Sequence, residues 1–202
     1  MKTLTIDNFI DAARELDCEV AMIMAFAETE APSGGFDAKG RLTILFEPHI
    51  FWQQLQKVGI NPQKLLKDHP EYAKFLYRTQ GLRPYPGSSD GVYNQLLAAE
   101  KIHKEAAFRS TSWGKFQCMG FNAEEIGYKD VFEMWDDFKN GEDVHLKGFI
   151  KFIVKKNIQV PLRNLDYKRC ALLYNGKKYY VNKYDEKIKA NRLKYLKYNH
   201  LK

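Results

Sequence analysis

The sequence predicts an all-α domain with at most a minor β-element, on three observations. Apolar residues recur at helical spacing in one segment after another, the pattern of helices that bury one face. Glycine and proline fall at the joints between those segments without forming a linker, so the 202 residues are expected to make a single domain over 1–202. A strand is suggested only at Thr43-Ile-Leu-Phe-Glu47.

Thr5-Ile-Asp-Asn-Phe-Ile opens the first helix, to about Leu16, and a second helix spans about Glu19–Glu30; the two form a hairpin. In the second, Val20, Ile23, Met24 and Ala27 make an apolar face at i, i+3, i+4 and i+7. Gly34-Gly35 and Gly40 bracket a loop that carries Asp37. After the short strand, Pro48 or Ile50 opens a helix through Val58, and Asn61-Pro62 offers an N-cap with proline at the first helical position. Residues 81–91, rich in Pro, Gly and Ser, make a long loop of the kind that is often functional. Tyr93–Arg109 has helical periodicity through Leu96, Leu97, Ile102 and Ala106. A glycine-containing turn at Ser112-Trp-Gly114 follows, then helices at Val131–Lys139, Glu142–Asn157 and Arg163–Tyr174. Gly176, in Tyr174-Asn175-Gly176, marks a helix stop.

Bulk properties narrow the function. With 45% apolar and 28% charged residues the chain can fill a core, and no stretch approaches the length of a membrane span. Asp7 and Asp11 interrupt the N-terminus before an apolar run forms, so no signal peptide is expected. Cys18, Cys118 and Cys170 are widely spaced, read as free thiols, and lack metal-site spacing. The net charge of +7 is uneven: residues 1–150 are slightly acidic, whereas Lys187, Lys189, Arg192, Lys194, Lys197 and Lys202 follow one another with no acidic residue between. Tyr195 and Tyr198 interleave with them. Such a segment favours an anionic polymer, and the competing reading is a merely solubilising basic helix. Nothing accompanies it that would read a specific nucleic-acid sequence.

The chemistry concentrates at Met24-Ala-Phe-Ala-Glu28-Thr-Glu30, where an apolar helix runs into carboxylates and then breaks. A carboxyl half-desolvated at a cleft wall has a raised pKa, which a general acid needs. Glu28 and Glu30 stand about 200° apart around the helix, so one site cannot hold both. The competing reading places both in solvent beside a turn. In Ile44-Leu-Phe-Glu47-Pro-His49, an alternating segment projects Glu47 and His49 to one side, either into a cleft or as a buried pair that anchors the loop.

Taken in order, Glu28-x-Glu30…Ser33-Gly-Gly-Phe36, Ile44-Leu-Phe-Glu47-x-His49-x-Phe51, Ser110-x-Ser-Trp-Gly-x-Phe-Gln117-x-Met-Gly-Phe-Asn122 and Tyr174-Asn-Gly176 resemble the N-acetylmuramidase domain of phage endolysins. The resemblance runs from about Asp17 to Tyr184. It implies a lysozyme-like, mainly helical fold and cleavage of the β-1,4 bond between N-acetylmuramic acid and N-acetylglucosamine in bacterial peptidoglycan. It places the catalytic acid at Glu30, with Glu28, Glu47 and Asp37 as alternative or auxiliary carboxylates. His49, Ser112, Trp113, Gln117, Tyr174 and Asn175 become the substrate-binding candidates, Tyr174 and Asn175 on the side of Glu30. Ala31-Pro32 departs from the family, where a small hydroxylated residue usually follows the glutamate.

Glycosidases of this kind need an acid and either a second carboxylate or substrate assistance, so neither metal nor other cofactor is expected. A monomer is expected, made in the cytoplasm and acting on the wall after release, with the basic 187–202 segment aiding wall affinity. Three alternatives stay open: a lytic transglycosylase in which the muramoyl C6 hydroxyl replaces water, a wall-binding protein without activity, and a basic nucleic-acid-binding module.

Overall fold

The computed structural model describes residues 3–30, 34–177 and 179–201. In chain order its elements are α1 (Ile6–Leu16), α2 (Val20–Glu30), β1 (Ile44–Phe46), α3 (Pro48–Lys57), α4 (Pro62–Asp68), α5 (Ser89–Glu100), α6 (Lys104–Arg109), β2 (Thr111–Trp113), β3 (Cys118–Met119), α7 (Val131–Phe138), α8 (Glu142–Lys155), α9 (Gln159–Arg163), α10 (Tyr167–Asn175) and α11 (Tyr184–Tyr195), with short 3-10 turns between some of them. The expected helical class holds. Two compact units emerge, one of Met1–Gly35 with Asn140–Lys202, the other Phe36–Lys139.

In the first unit α2 is the central helix. Val20, Ala21, Met22, Ile23, Ala25, Phe26 and Ala27 are all buried, so the helix is enclosed on every side rather than along the single stripe its spacing suggested. Phe26 packs against Phe149 of α8 and edge-on to Tyr174 of α10, with ring centroids 5.5 and 5.2 Å apart. Thr5 starts α1 as expected, in a capping box with Asn8. The expected helix Arg163–Tyr174 is instead α9 and α10. Leu165 between them takes a left-handed φ of 55°, which breaks the ladder, and Asp166 restarts it by accepting from the Arg169 N–H.

In the second unit a three-stranded antiparallel sheet, ordered β1-β2-β3, pairs Ile44 with Trp113 and Ser112 with Met119. Residues 111–113 are therefore strand, and the turn lies beyond them, where Gly114 and Gln117 take φ values of 71° and 48°. The expected Tyr93–Arg109 helix begins earlier, at Ser89 with Ser88 as N-cap, and divides into α5 and α6. His103 Nδ1 accepts from the Ala106 N–H at 3.1 Å and so caps the second piece, a role its sequence position did not announce. Asn61 caps α4 as expected. Gly120 is needed for close approach, because a Cβ there would run into the Phe108 carbonyl. Cys18, Cys118 and Cys170 are all buried; burial pushes the thiols of Cys118 and Cys170 up to about 12, so they stay protonated.

Candidate active site

α2 delivers two carboxylates into different surroundings. Glu30, its last residue, remains partly exposed. The Asn175 side-chain amide donates to Glu30 Oε1 at 2.8 Å. Burial lifts the Glu30 carboxyl from 4.5 to about 7, opposed only in part by that amide and by the charge of Lys187. Near neutral pH it exists in both forms, so it can give a proton and, once ionised, take one back. Glu28 meets the opposite setting. Burial raises its carboxyl, but hydrogen bonds from Tyr195 and Lys194 and the lysine's charge outweigh burial and hold it below the ordinary value. Lys194 Nζ stands 3.1 Å from Glu28 Oε1.

In the second unit Glu47 stands between β1 and α3, as the N-cap residue of α3. Its side chain is 15% exposed and that of His49 14%, with His49 Nδ1 3.3 Å from Glu47 Oε2. The Tyr85 hydroxyl, from the long Pro/Gly-rich loop, donates to the same oxygen at 2.8 Å. Burial raises the Glu47 carboxyl despite the Tyr85 hydrogen bond and the nearby His49. The anchoring reading of the Glu47–His49 pair thus has a geometric basis, and the loop's contribution to it is Tyr85.

Asp37 is a different kind of carboxylate. Arg41 Nε and Nη2 donate to its Oδ2 at 2.9 and 2.7 Å, Ser89 Oγ donates to it at 2.6 Å, and the backbone N–H groups of Lys39 and Arg41 donate to Oδ1. Burial raises the carboxyl, but these donors pull it far below the usual range. Arg41 also reaches Asp90 at 2.6 Å and lies over the Tyr93 ring, 4.2 Å from its centroid. A carboxylate this saturated has little basicity left for activating water.

The N-acetylmuramidase family model matches residues 19–196. The chain belongs to this family. A search of curated proteins finds no match. Among solved structures, the crystal structure of Burkholderia AP3 phage endolysin aligns with a TM-score of 0.86 at 33% identity, over 96% of this chain and 72% of that one. The fold is accordingly lysozyme-like, and the protein is an endolysin-type muramidase, a peptidoglycan-cleaving glycosidase.

Several expected substrate contacts of the muramidase turn out to be internal. Trp113 is fully buried against Phe108 and donates its ring N–H to the Phe108 carbonyl at 3.2 Å, so no face is left for a sugar. Ser112 donates to Gln117 Oε1 at 2.7 Å, while Gln117 Nε2 donates to the carbonyls of Gly114 at 2.7 Å and Thr43 at 3.3 Å. That amide ties the sheet together instead of waiting for an acetamido group. The Tyr174 ring is packed edge-on among Phe26, Phe149 and Phe152. Asn175, by contrast, turns its amide toward Glu30. Ala31, Pro32 and Ser33 lie outside the described residues, as do Lys178 and Lys202 of the basic stretch. The Gly35 N–H donates to Glu142 Oε1 at 2.6 Å, and a Cβ on Gly35 would lie 2.6 Å from His145 Nδ1. A side chain at 35 would push the chain off α8.

Sequence reasoning missed Thr29, Tyr85, Lys187, Asn191 and Lys194. Tyr85 stood unnamed in the long Pro/Gly-rich loop, Thr29 read as part of a helix end, and the rest read as a basic run for wall affinity or solubility. Among the described residues no three His, Cys, Asp or Glu side chains gather in a metal-binding group, and no helix is long and apolar enough to cross a membrane.

Proposed function

We propose that this muramidase hydrolyses the β-1,4 bond between N-acetylmuramic acid and N-acetylglucosamine, with Glu30 as general acid. The observation that carries the reading is the partly buried Glu30 carboxyl, held by the neutral amide of Asn175 and lifted to about 7. The protonated carboxyl gives its proton to the glycosidic oxygen as the bond to the anomeric carbon breaks. Positive charge builds on that carbon and the ring oxygen. The ionised Glu30 then accepts a proton from the incoming water as its oxygen bonds to the anomeric carbon, which restores the acid. Asn175 keeps one carboxyl oxygen in place through both steps. In this reading Asp37, saturated by Arg41 and Ser89, takes no part in the chemistry.

The enzyme acts as a monomer, as one catalytic domain over 1–202, on the wall after release from the cytoplasm where it is made. Its chemistry needs no metal, so turnover survives excess EDTA. Mass analysis of the released muropeptides tests the reaction itself: a reducing muramic acid end supports hydrolysis, and an end lighter by one water identifies the transglycosylase reaction and overturns it.

A further inference from the structure

α2 lacks what a helix with a working carboxylate at its C-terminal end requires. Its last turn holds Glu28 and Glu30 and no basic residue, at the end where the aligned peptide dipoles already disfavour negative charge. Its first turn, like that of any helix, presents N–H groups without an intrahelical partner. Both ends are completed by the C-terminal segment. At the start, the Asn199 side-chain oxygen accepts from the Ala21 N–H at 2.9 Å, and Arg192 makes a two-pronged pair with Glu19 at 2.7 and 2.9 Å. At the finish, three consecutive residues each take a partner. Lys194 reaches Glu28 at 3.1 Å, the Asn191 amide donates to Thr29 Oγ1 at 3.0 Å, and Asn175 donates to Glu30 at 2.8 Å. Thr29 Oγ1 itself donates to the Ala25 carbonyl at 2.8 Å, so the contact from Asn191 is passed into the helix backbone one turn back.

We infer that α11 positions the Glu30 carboxyl, with Asn191 acting through Thr29 as the positioning residue that fixes the last turn of α2. The inference rests on Glu30 being the acid. It changes the standing of the basic segment: within 184–195 these side chains are a clasp on the catalytic helix, and the family match, which runs to 196, includes them. The energetic reason is that acid catalysis depends steeply on placement. A misplacement of about 1 Å costs on the order of 10²-fold, and the last turn of a helix frays unless something outside the helix holds it.

The test uses Asn191→Leu, Thr29→Val, their double variant and Thr29→Ser in the full chain, with kcat, KM and thermal melts measured together. Asn191→Leu and Thr29→Val are each expected to lower kcat about tenfold with KM within about twofold and melting points within a few degrees. The double variant is expected to match the singles, because both break one link. Thr29→Ser keeps the hydroxyl and is expected to keep kcat. Unchanged kcat in both singles, losses that multiply in the double, or an equal loss in Thr29→Ser would each overturn the inference. Glu30→Gln, assayed alongside, separates the two levels of failure. If it stays active the assignment of the acid falls, and if it collapses while Asn191→Leu is unaffected only the positioning role falls.

Discussion

The last turn of α2 and the loop around Asp37 show two ways of burying a carboxylate, with opposite chemical results. At Glu30 the closest donor is a neutral amide, so desolvation dominates and the proton is held to about pH 7. At Asp37 a guanidinium, a hydroxyl and two backbone N–H groups converge, desolvation is overcome, and the group is ionised at neutral pH. Glu47 lies between them, with a phenol and an imidazole as its neighbours. What separates an acid from a structural anion is whether burial comes with strong donors and a cation, and Glu28 makes the same point within α2 itself, since Tyr195 and Lys194 together hold it ionised.

The comparison is broken most directly at Glu30. Glu30→Gln keeps the volume and the contact with Asn175 but has no proton to give, so turnover of purified peptidoglycan is expected to fall at least about 10²-fold with folding intact. Glu28→Gln is expected to lose far less. Glu47→Gln is the intermediate case. A collapse in turnover with an unchanged melt places it in the chemistry, and a lowered melting point with residual turnover assigns it to the β1–α3 junction. Activity in Glu30→Gln within a fewfold of wild type would sink the assignment and bring Glu28 forward.

Asp37→Asn should do the reverse, costing stability rather than chemistry. It removes the anion that Arg41 and Ser89 are built around, and hydrogen bonds to charged groups contribute about 1.5–3 kcal/mol. For a chain of this size that corresponds to a drop in melting temperature of roughly 3–12 °C. Because its carboxyl is depressed in the fold, the stabilisation is fully present above its ordinary value of 3.8 and is lost progressively as pH falls from there toward the depressed value. The melting-point gap between wild type and Asp37→Asn should therefore close in acid. A gap of the same size at low pH would mean that packing, not charge, is what the loop loses.

Glu30 gives the opposite sign. Its carboxyl is raised in the fold, so its contribution to stability is fully present below 4.5 and is lost as pH rises through about 7. Glu30→Gln is thus expected to melt higher than wild type at pH 8 and no higher at pH 4. Turnover of wild type should fall as pH rises through about 7. The groups facing Glu30 are Asn175 from α10 and Lys187 and Tyr184 from α11. Lys187→Met removes the opposing positive charge and is expected to move that falling limb upward by less than about one pH unit. A limb that stays put would mean the lysine's charge is lost to solvent.

Much of the scaffold was legible because local signals and tertiary context agreed. Thr5, Asn61 and Gly176 cap the helices their residue types suggested. The misreadings occurred where a tertiary contact overrode periodicity. His103 and Asp166 each restart a helix inside what looked like a continuous one. Trp113 and Gln117 carried the chemistry of sugar contact in type, but the sheet needed them first. Glu30 was legible from its place at the end of an apolar helix. Its partners Asn191 and Lys194 were not, because contacts across such a span of sequence leave no local pattern.

The smallest expected effect concerns the rest of the basic segment. Arg192 and Lys194 are engaged with Glu19 and Glu28, so neutralising them would confound wall affinity with the clasp. Lys189 and Lys197 are the better probes, since among the described residues neither takes part in a side-chain ion pair with α2, and Lys197 stacks only on Tyr198. If their charges attract the anionic wall, Lys189→Gln with Lys197→Gln should slow turnover severalfold at low salt and almost not at all near about 0.5 M, where a surface field reaches only a few ångströms. The salt series also separates the two roles of α11. A clasp defect such as Asn191→Leu is short-range and should persist undiminished at high salt, whereas a steering defect fades. Losses in the double lysine variant that are equal at both ends of the series would assign Lys189 and Lys197 to packing and leave the wall affinity to some other part of the surface.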